Sequence, residues 1–502
     1  MASVLPMGFE ENDDIIMAMI ANGSYSGVPD GHLFYINILY GNVLAWLYTL
    51  IPSIEWYTLS FAVLHILSMS VLCYCVWTTP NRALWERILW TIVLYVFWAR
   101  IIVALQFTTT AGLVCLAGCM LLLRERIRAR WSGAALVVVA ALIRFFAAGL
   151  VGLLMAPIIV YTYRLNWRKY IVVVLMLTAV VGCRIFNQRT YDRDPEWKYY
   201  REYNRLRAQL NDNPNAYRMT TADMPEGIDP MDYQLLLRFV PDGEQIDLPA
   251  IRQLSAVVGN VPFRQQVQNL LRLEKYAVEL SILMALLVLM ILTTGNRNKY
   301  LFLILYMLFV VLLIVHVSLD GFLKNRVFIC IILPLLATDF MLLPDTTGLK
   351  RRWGIGIALL VLSGWYGYQI YNETLVAGHN RYVWNNLQKP LLEYVPEEAY
   401  VTTIGTSMLV EATDPWHIWP FPCKRYCLGW TTYIPLNKPL GHSYRALLND
   451  EMYIFTHINY TRDHTALQRV CEQIEKHYGV PTQIKWVVRN GGYAVVKLKV
   501  ES

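Results

Sequence analysis

Apolar residues in this chain are gathered into long runs that are almost free of charge. A run of about 20 such residues crosses the hydrocarbon core as a helix. Within lipid the backbone must satisfy its own polar groups, so a run of this kind has no choice but to be helical. Ten candidate spans follow: 58–77, 88–105, 109–123, 133–148, 150–163, 170–186, 277–295, 300–318, 327–344 and 354–371. The runs 88–123 and 133–163 are too long for one span, and each is read as a hairpin. Apolar residues make up 56% of the 502 residues and charged residues only 16%, which is too little to clothe a water-exposed surface. The expected fold class is a polytopic α-helical membrane protein of about ten spans, with a helical outer loop region and a small C-terminal α/β soluble domain.

Lys and Arg set the orientation, because they concentrate in cytoplasmic loops. No Lys or Arg precedes Arg82. Basic residues then fall between alternate spans: Arg82 and Arg87; Arg124, Arg126, Arg128 and Arg130; Arg164, Arg168 and Lys169; Arg297 and Lys299; Lys350, Arg351 and Arg352. Ten spans make every one of these clusters cytoplasmic. The N-terminus, residues 187–276 and the tail from 372 then lie on the outer face of a plasma (inner) membrane. These loops account for the net charge of +7, so no nucleic-acid partner is needed. The first 32 residues lack a basic region followed by an apolar core, and no cleaved signal peptide is expected.

Five segments result: 1–57, an outer acidic loop with surface helices; 58–186, transmembrane; 187–276, a large outer loop; 277–371, transmembrane; and 372–502, an outer soluble domain. Leu33 to Pro52 is apolar but rich in Trp, Tyr and Asn, which suits one or two helices lying on the surface. In the large loop, Tyr191 to Tyr217 and Gln253 to Lys275 look helical, while the stretch with Pro225, Gly227, Pro230, Pro241 and Gly243 reads as irregular. In the tail, 400–404 and 492–500 have strand character and 465–478 is an amphipathic helix. Six of the nine cysteines fall in spans. Cys423, Cys427 and Cys471 fall in the tail, where an oxidising compartment would allow a disulfide.

Residues able to carry chemistry cluster in a few places. Glu10-Glu-Asn-Asp-Asp14 sets four acids in five residues just outside the membrane. A helix N-terminus accounts for one or two of them; an Asp13-Asp14 pair can also supply a general base. His32, in Asp30-Gly-His32, can bind a metal or donate to a substrate, though a lone His near a turn is more often structural. His316, Asp320, Lys324 and Arg326 lie in the one short outer loop with two basic residues. Snorkelling explains these cations, and so does binding an anionic group such as a lipid phosphate. Arg100 and Arg144 sit inside apolar runs, where a charge is costly and seeks a partner or polar cavity. They can converge with Lys324 and Arg326 on one anion. Gln106-Phe-Thr-Thr-Thr110 turns between two spans and either satisfies backbone groups or lines a cavity. Asp192-Arg-Asp194 matches a metal-holding pattern of nucleotide-sugar enzymes, but three residues match by chance and nucleotide sugars are absent outside. The spacing Cys423-Lys-Arg-Tyr-Cys427 is a weak metal signal.

With these elements placed, the chain resembles C-type (GT-C superfamily) glycosyltransferases, and bacterial members in particular. The resemblance rests on Asn12-Asp-Asp14, Ser26-Gly27, His32, Gly41, Leu47-Tyr48, Gln106-Phe-Thr108, Trp197, Tyr203-Asn204, Arg207 and Gly429-Trp430. It implies transfer of a sugar from a polyprenyl-phosphate donor to a glycan, lipid or protein acceptor on the outer face, with inversion. Asp13 or Asp14 would be the base, with Asp13 preferred, and Lys324 and Arg326 would hold the donor phosphate. His32, Arg100, Gln106, Arg144 and His316 complete the substrate-binding set. The tail domain would help bind the acceptor, and membrane lipids surround the spans. Two features depart from the family: no span precedes the acidic loop, and the turn at Gln106 lacks a second acid. A divalent metal is therefore allowed as a cofactor but not required. An O-antigen ligase or polymerase would rely on outer Arg and His instead. A lipid-linked glycan transporter should show internal repeats, and the sequence shows none.

Overall fold

The computed structural model describes residues 7–80, 82–259, 263–293, 297–320, 323–342, 349–406, 408, 414–419, 421, 423–458 and 466–501. The first half of the chain forms helices α1 (Asn12–Asn22), α2 (Ile38–Leu50), α3 (Trp56–Thr78), α4 (Leu84–Val103), α5 (Phe107–Leu122), α6 (Ile127–Ile143), α7 (Phe145–Tyr163), α8 (Trp167–Arg193), α9 (Pro195–Asn211), α10 (Pro230–Leu237) and α11 (Leu248–Val258). It continues with α12 (Phe263–Leu271), α13 (Ala277–Thr293), α14 (Arg297–Asp320), α15 (Asn325–Leu342), α16 (Leu349–Val383), α17 (Lys389–Leu392) and α18 (Ala466–Tyr478). The strands are β1 (Gly8–Phe9), β2 (Ala104–Leu105), β3 (Tyr400–Thr403), β4 (Lys424–Arg425), β5 (Met452–His457), β6 (Thr482–Asn490) and β7 (Tyr493–Val500).

The apolar runs read as spans are mainly helical, in α3–α8 and α13–α16, but the end of 88–105 forms β2 and the run 133–148 is broken at Arg144. The last residues of the expected spans 277–295 and 327–344 lie outside the described residues. Among the described residues five helices, α3, α7, α8, α14 and α15, are long and apolar enough to cross a bilayer. The hairpin split expected between 148 and 150 falls earlier, at Arg144, whose extended backbone (φ −152°) separates α6 from α7. Between Leu33 and Pro52 a single helix forms, capped by the Asn37 side chain, which accepts from Leu39 N. α16 runs on to Val383, past the expected end at 371.

The chain divides into two compact units. The first comprises residues up to 17, 31–187 and 266–377. Its centre is α5, every residue of which is buried, among α3, α6, α7 and α15. Small residues allow this. A Cβ on Gly118 would stand 2.7 Å from the carbonyl oxygen of Gly133, and one on Gly133 would stand 2.5 Å from that of Gly118. The α5 and α6 backbones thus touch directly, as small residues permit between membrane helices. β1 and β2 form a two-residue parallel ladder, Gly8 beside Ala104 and Phe9 beside Leu105, extended by Glu10 N donating to Leu105 O at 3.1 Å. That ladder brings the start of α1 alongside the turn at Gln106.

The second unit comprises 18–30, 188–265 and residues from 378 onward. Its sheet has the order β4-β3-β5-β7-β6, with β3 parallel to β4 and β5, and β7 antiparallel to β5 and β6. Gly491 and Gly492 make the tight β6–β7 turn with φ of +57° and +103°, which only glycine adopts without strain. α18 lays Leu467, Val470 and Ile474 against the core under the sheet. The stretch read as irregular contains α10, started by Asp229 at its N-cap and Pro230 at its first position. The helix expected from Tyr191 to Tyr217 is in fact two, because Asp194 ends α8 and caps α9, which stops at Asn211.

Candidate active site

The acidic run at the start of the chain becomes the first turn of α1, and its members part company there. Asp14 is fully buried. Its Oδ1 accepts from the Tyr57 hydroxyl at 2.8 Å and from the Phe107 amide at 3.1 Å. Burial pushes this carboxyl well above its ordinary range, against the pull of those two donors. Asp13 is only half-buried. Burial raises it as well, and the charges around it are Arg326, Glu11, Arg144 and Lys324, the three cations holding it down. Glu10 is pushed up to about 7, first by burial and then by Glu11.

The basic residues come from distant elements of the same unit. Arg326 lies in the first turn of α15, its Nη1 2.8 Å from Glu11 Oε1. Lys324 precedes that helix and accepts at its carbonyl the amides of Val327 and Phe328. Arg144 lies over the rings of Tyr35, at 4.9 Å, and Phe107, at 5.2 Å, which are themselves stacked. This fixes the guanidinium by cation–π contact beside the amide that anchors Asp14.

Arg100 is placed otherwise. It is buried and faces two carboxylates, Glu373 at 3.3 Å and Glu279 at 3.6 Å, and donates to Asn325 Oδ1 at 3.2 Å. Its charge is therefore matched by protein, and its work is to tie α4, α13, α15 and α16 together. Gln106 is also absorbed locally: its side-chain oxygen caps α5 by accepting from Thr108 N and Thr109 N at 2.6 and 3.1 Å. Its Nε2 is buried without a hydrogen-bond partner among the described residues. His32 is half-buried beside Gly31, which packs so closely on α2 that a Cβ on Gly41 would stand 2.0 Å from the Gly31 carbonyl oxygen. His316 is exposed on α14.

Two weaker sequence signals have structural explanations. Asp192 pairs with Arg201 at 2.8 Å, and Asp194 caps α9. Cys423, Cys427 and Cys471 are free thiols, and Cys427 accepts from Arg425 Nε at 3.2 Å. Of the residues the sequence did not single out, Tyr57, Glu279, Asn325 and Glu373 hold the site together. Glu279 and Glu373 carried a signal, an acid in or beside an apolar run. Tyr57 carried none.

No protein-family model matches the chain, and no curated protein matches it. Among solved structures it is similar to ArnT from Cupriavidus metallidurans in the apo state, at 14% identity and a TM-score of 0.43 over 98% of this chain and 94% of that one. It is similar also to the same protein bound to undecaprenyl phosphate, at 15% identity and a TM-score of 0.42 over 98% of this chain and 95% of that one. At these values the chain's own residues carry the functional reading.

Proposed function

We propose that this chain is a membrane glycosyltransferase that moves a sugar from a polyprenyl-phosphate donor to a glycan, lipid or protein acceptor at the outer face, with inversion. One observation carries the reading: Asp13 and Asp14 are neighbours with divided roles. Asp14 is locked by Tyr57 and the Phe107 amide, while Asp13 is only half-buried, in the field of Arg326, Arg144 and Lys324. A carboxylate next to a group of cations suits a reaction that takes a proton from one partner and releases an anion from the other.

In this mechanism Asp13 removes the proton from the acceptor hydroxyl or amine as it attacks the anomeric carbon. The bond to the donor phosphate breaks on the opposite face, so one displacement inverts the configuration. Arg326 and Lys324 stabilise the negative charge that grows on the leaving phosphate. Arg144, braced on Tyr35 and Phe107, adds a fixed positive charge. Arg100 positions Asn325, the residue between Lys324 and Arg326, rather than touching the phosphate. Ten spans would set this group at the outer membrane surface, with the C-terminal α/β domain helping to bind acceptor.

The test is transfer by purified chain from a panel of polyprenyl-phosphate sugars, with product analysis. Wild type should transfer one of them and D13N should not. Transfer that survives both D13N and D14N intact would sink this reading.

A further inference from the structure

Away from the acidic pair, the second unit gathers Asp229, Asp232 and His477 at the junction of α10 and α18. Asp229 caps α10, its Oδ1 accepting from Met231 N at 2.6 Å. Asp232 follows in the first turn of that helix. His477 comes from the last turn of α18. One donor atom from each of the three lies within 4.8 Å of the others. Asp232 Oδ2 is 2.8 Å from His477 Nε2.

Asp232 is the informative member. It is 1% exposed, yet its Oδ1 has no hydrogen-bond partner among the described residues. A buried carboxylate oxygen left unpaired costs more than an ordinary missing hydrogen bond. That orphan atom belongs to the same carboxylate whose other oxygen meets His477. Burial pushes the Asp232 carboxyl up to about 6, with Asp229 adding to the rise and His477 opposing it. Lys476 also faces the cluster, its ammonium contacting Asp229 Oδ2. That side chain is 59% exposed, so it can leave for water at little cost.

We propose that Asp229, Asp232 and His477 bind one divalent cation of the zinc class. Two carboxylates and one imidazole are the oxygen and nitrogen donors such an ion takes, whereas calcium and magnesium favour oxygen alone. The ion replaces the His477–Asp232 hydrogen bond with coordinate bonds and gives the orphan Oδ1 a partner. It displaces Lys476 from Asp229. The C-terminal end of α18 favours a cation and the N-terminal end of α10 opposes one; two carboxylates outweigh that opposition. Bound there, the ion staples α10 to α18. This site is independent of sugar transfer.

The full chain, purified in detergent and stripped with chelator, is titrated at neutral pH with zinc by calorimetry and with cobalt(II) by visible absorption. One ion should bind, and zinc should raise the unfolding temperature. D232N and H477Q should each weaken binding by about 100-fold or more, and K476M should tighten it. H477Q keeps a donor for Asp232, so it decides the matter if D232N does not fold. A wild-type chain that takes up no zinc overturns the proposal. Undiminished binding by H477Q, or weaker binding by K476M, does so too.

Discussion

The hydroxyl of Tyr57, in the first turn of α3, donates to Asp14 Oδ1 at 2.8 Å and so ties α3 to the first turn of α1. Its loss should be felt by the residue next door. Tyr57→Phe leaves the buried carboxyl with only the Phe107 amide, which should lower stability by about 1–3 kcal/mol. Transfer should fall too, because Asp13 rides on the same turn. Thermal unfolding and initial rates of the purified variant measure both, and wild-type values in both would show that Tyr57 positions nothing.

Asp13→Asn should behave in the opposite way. Asp13 is half-buried and, among the described residues, takes part in no hydrogen bond that holds α1 in place as those of Asp14 do, so the amide should be tolerated structurally. Turnover should drop by about 10²–10⁴-fold, the usual worth of a general base. KM for the donor and the unfolding temperature should stay near wild type. A comparable loss of stability would instead mark Asp13 as a structural residue.

Arg326 and Lys324 differ in what their replacement should reveal. Arg326→Ala removes the partner of Glu11 as well as a proposed phosphate ligand, and kcat/KM for the donor should fall by roughly 10–100-fold. Arg326→Lys keeps the charge but loses the planar fork, so it should recover only part of that loss. Lys324→Ala should raise KM for the donor with less effect on unfolding. Equal activity of Arg326→Ala and wild type would remove Arg326 from the mechanism.

Glu10 gives a pH signature. Its folded pKa is raised from the ordinary 4.5 to about 7 by burial and by Glu11. A raised folded value means that the folded state holds the proton more tightly than the unfolded one. The stability this supplies is complete below pH 4.5 and is lost as pH rises through 7. Glu10→Gln should abolish that slope, a difference of about 1–3 kcal/mol between the two proteins. Unfolding curves at several pH values across this window would check it, and parallel pH profiles would contradict it.

Much of this was legible because lipid leaves a sequence few options. The apolar runs announced their helices, and the acids stood out by density alone. What could not be read was which Asp is locked, because its partners arrive from 43 and 93 residues away. The same holds for Arg100. A lone arginine in an apolar run suggests an anion, but Glu373 reaches it from 273 residues away and matches its charge. β1 and β2 are two residues each, too short for any period to show. Asp-Arg-Asp at 192–194 shows the reverse failure, a pattern that an ion pair and a helix cap explain in full.

The contact between Gly118 and Gly133 makes its own prediction. The neighbour of each missing Cβ is a backbone oxygen, which cannot swing aside. Gly118→Val should push α5 and α6 apart and cost about 1–3 kcal/mol or more. Thermal unfolding in detergent reads this directly, and an unchanged midpoint would show that the helices can part freely.

Because α5 is covered on all sides, it has no face left for lipid. One of its covers is α15, whose Cys330 meets Gly112 so closely that a Cβ there would stand 2.8 Å from the sulfur. During synthesis α5 is complete long before α15 exists. A nascent chain must therefore keep that flank waiting, against lipid or a chaperone, until residue 342 has been made. Truncations that end between α8 and α15 should be cleared by quality-control proteases even though each of their apolar runs could insert.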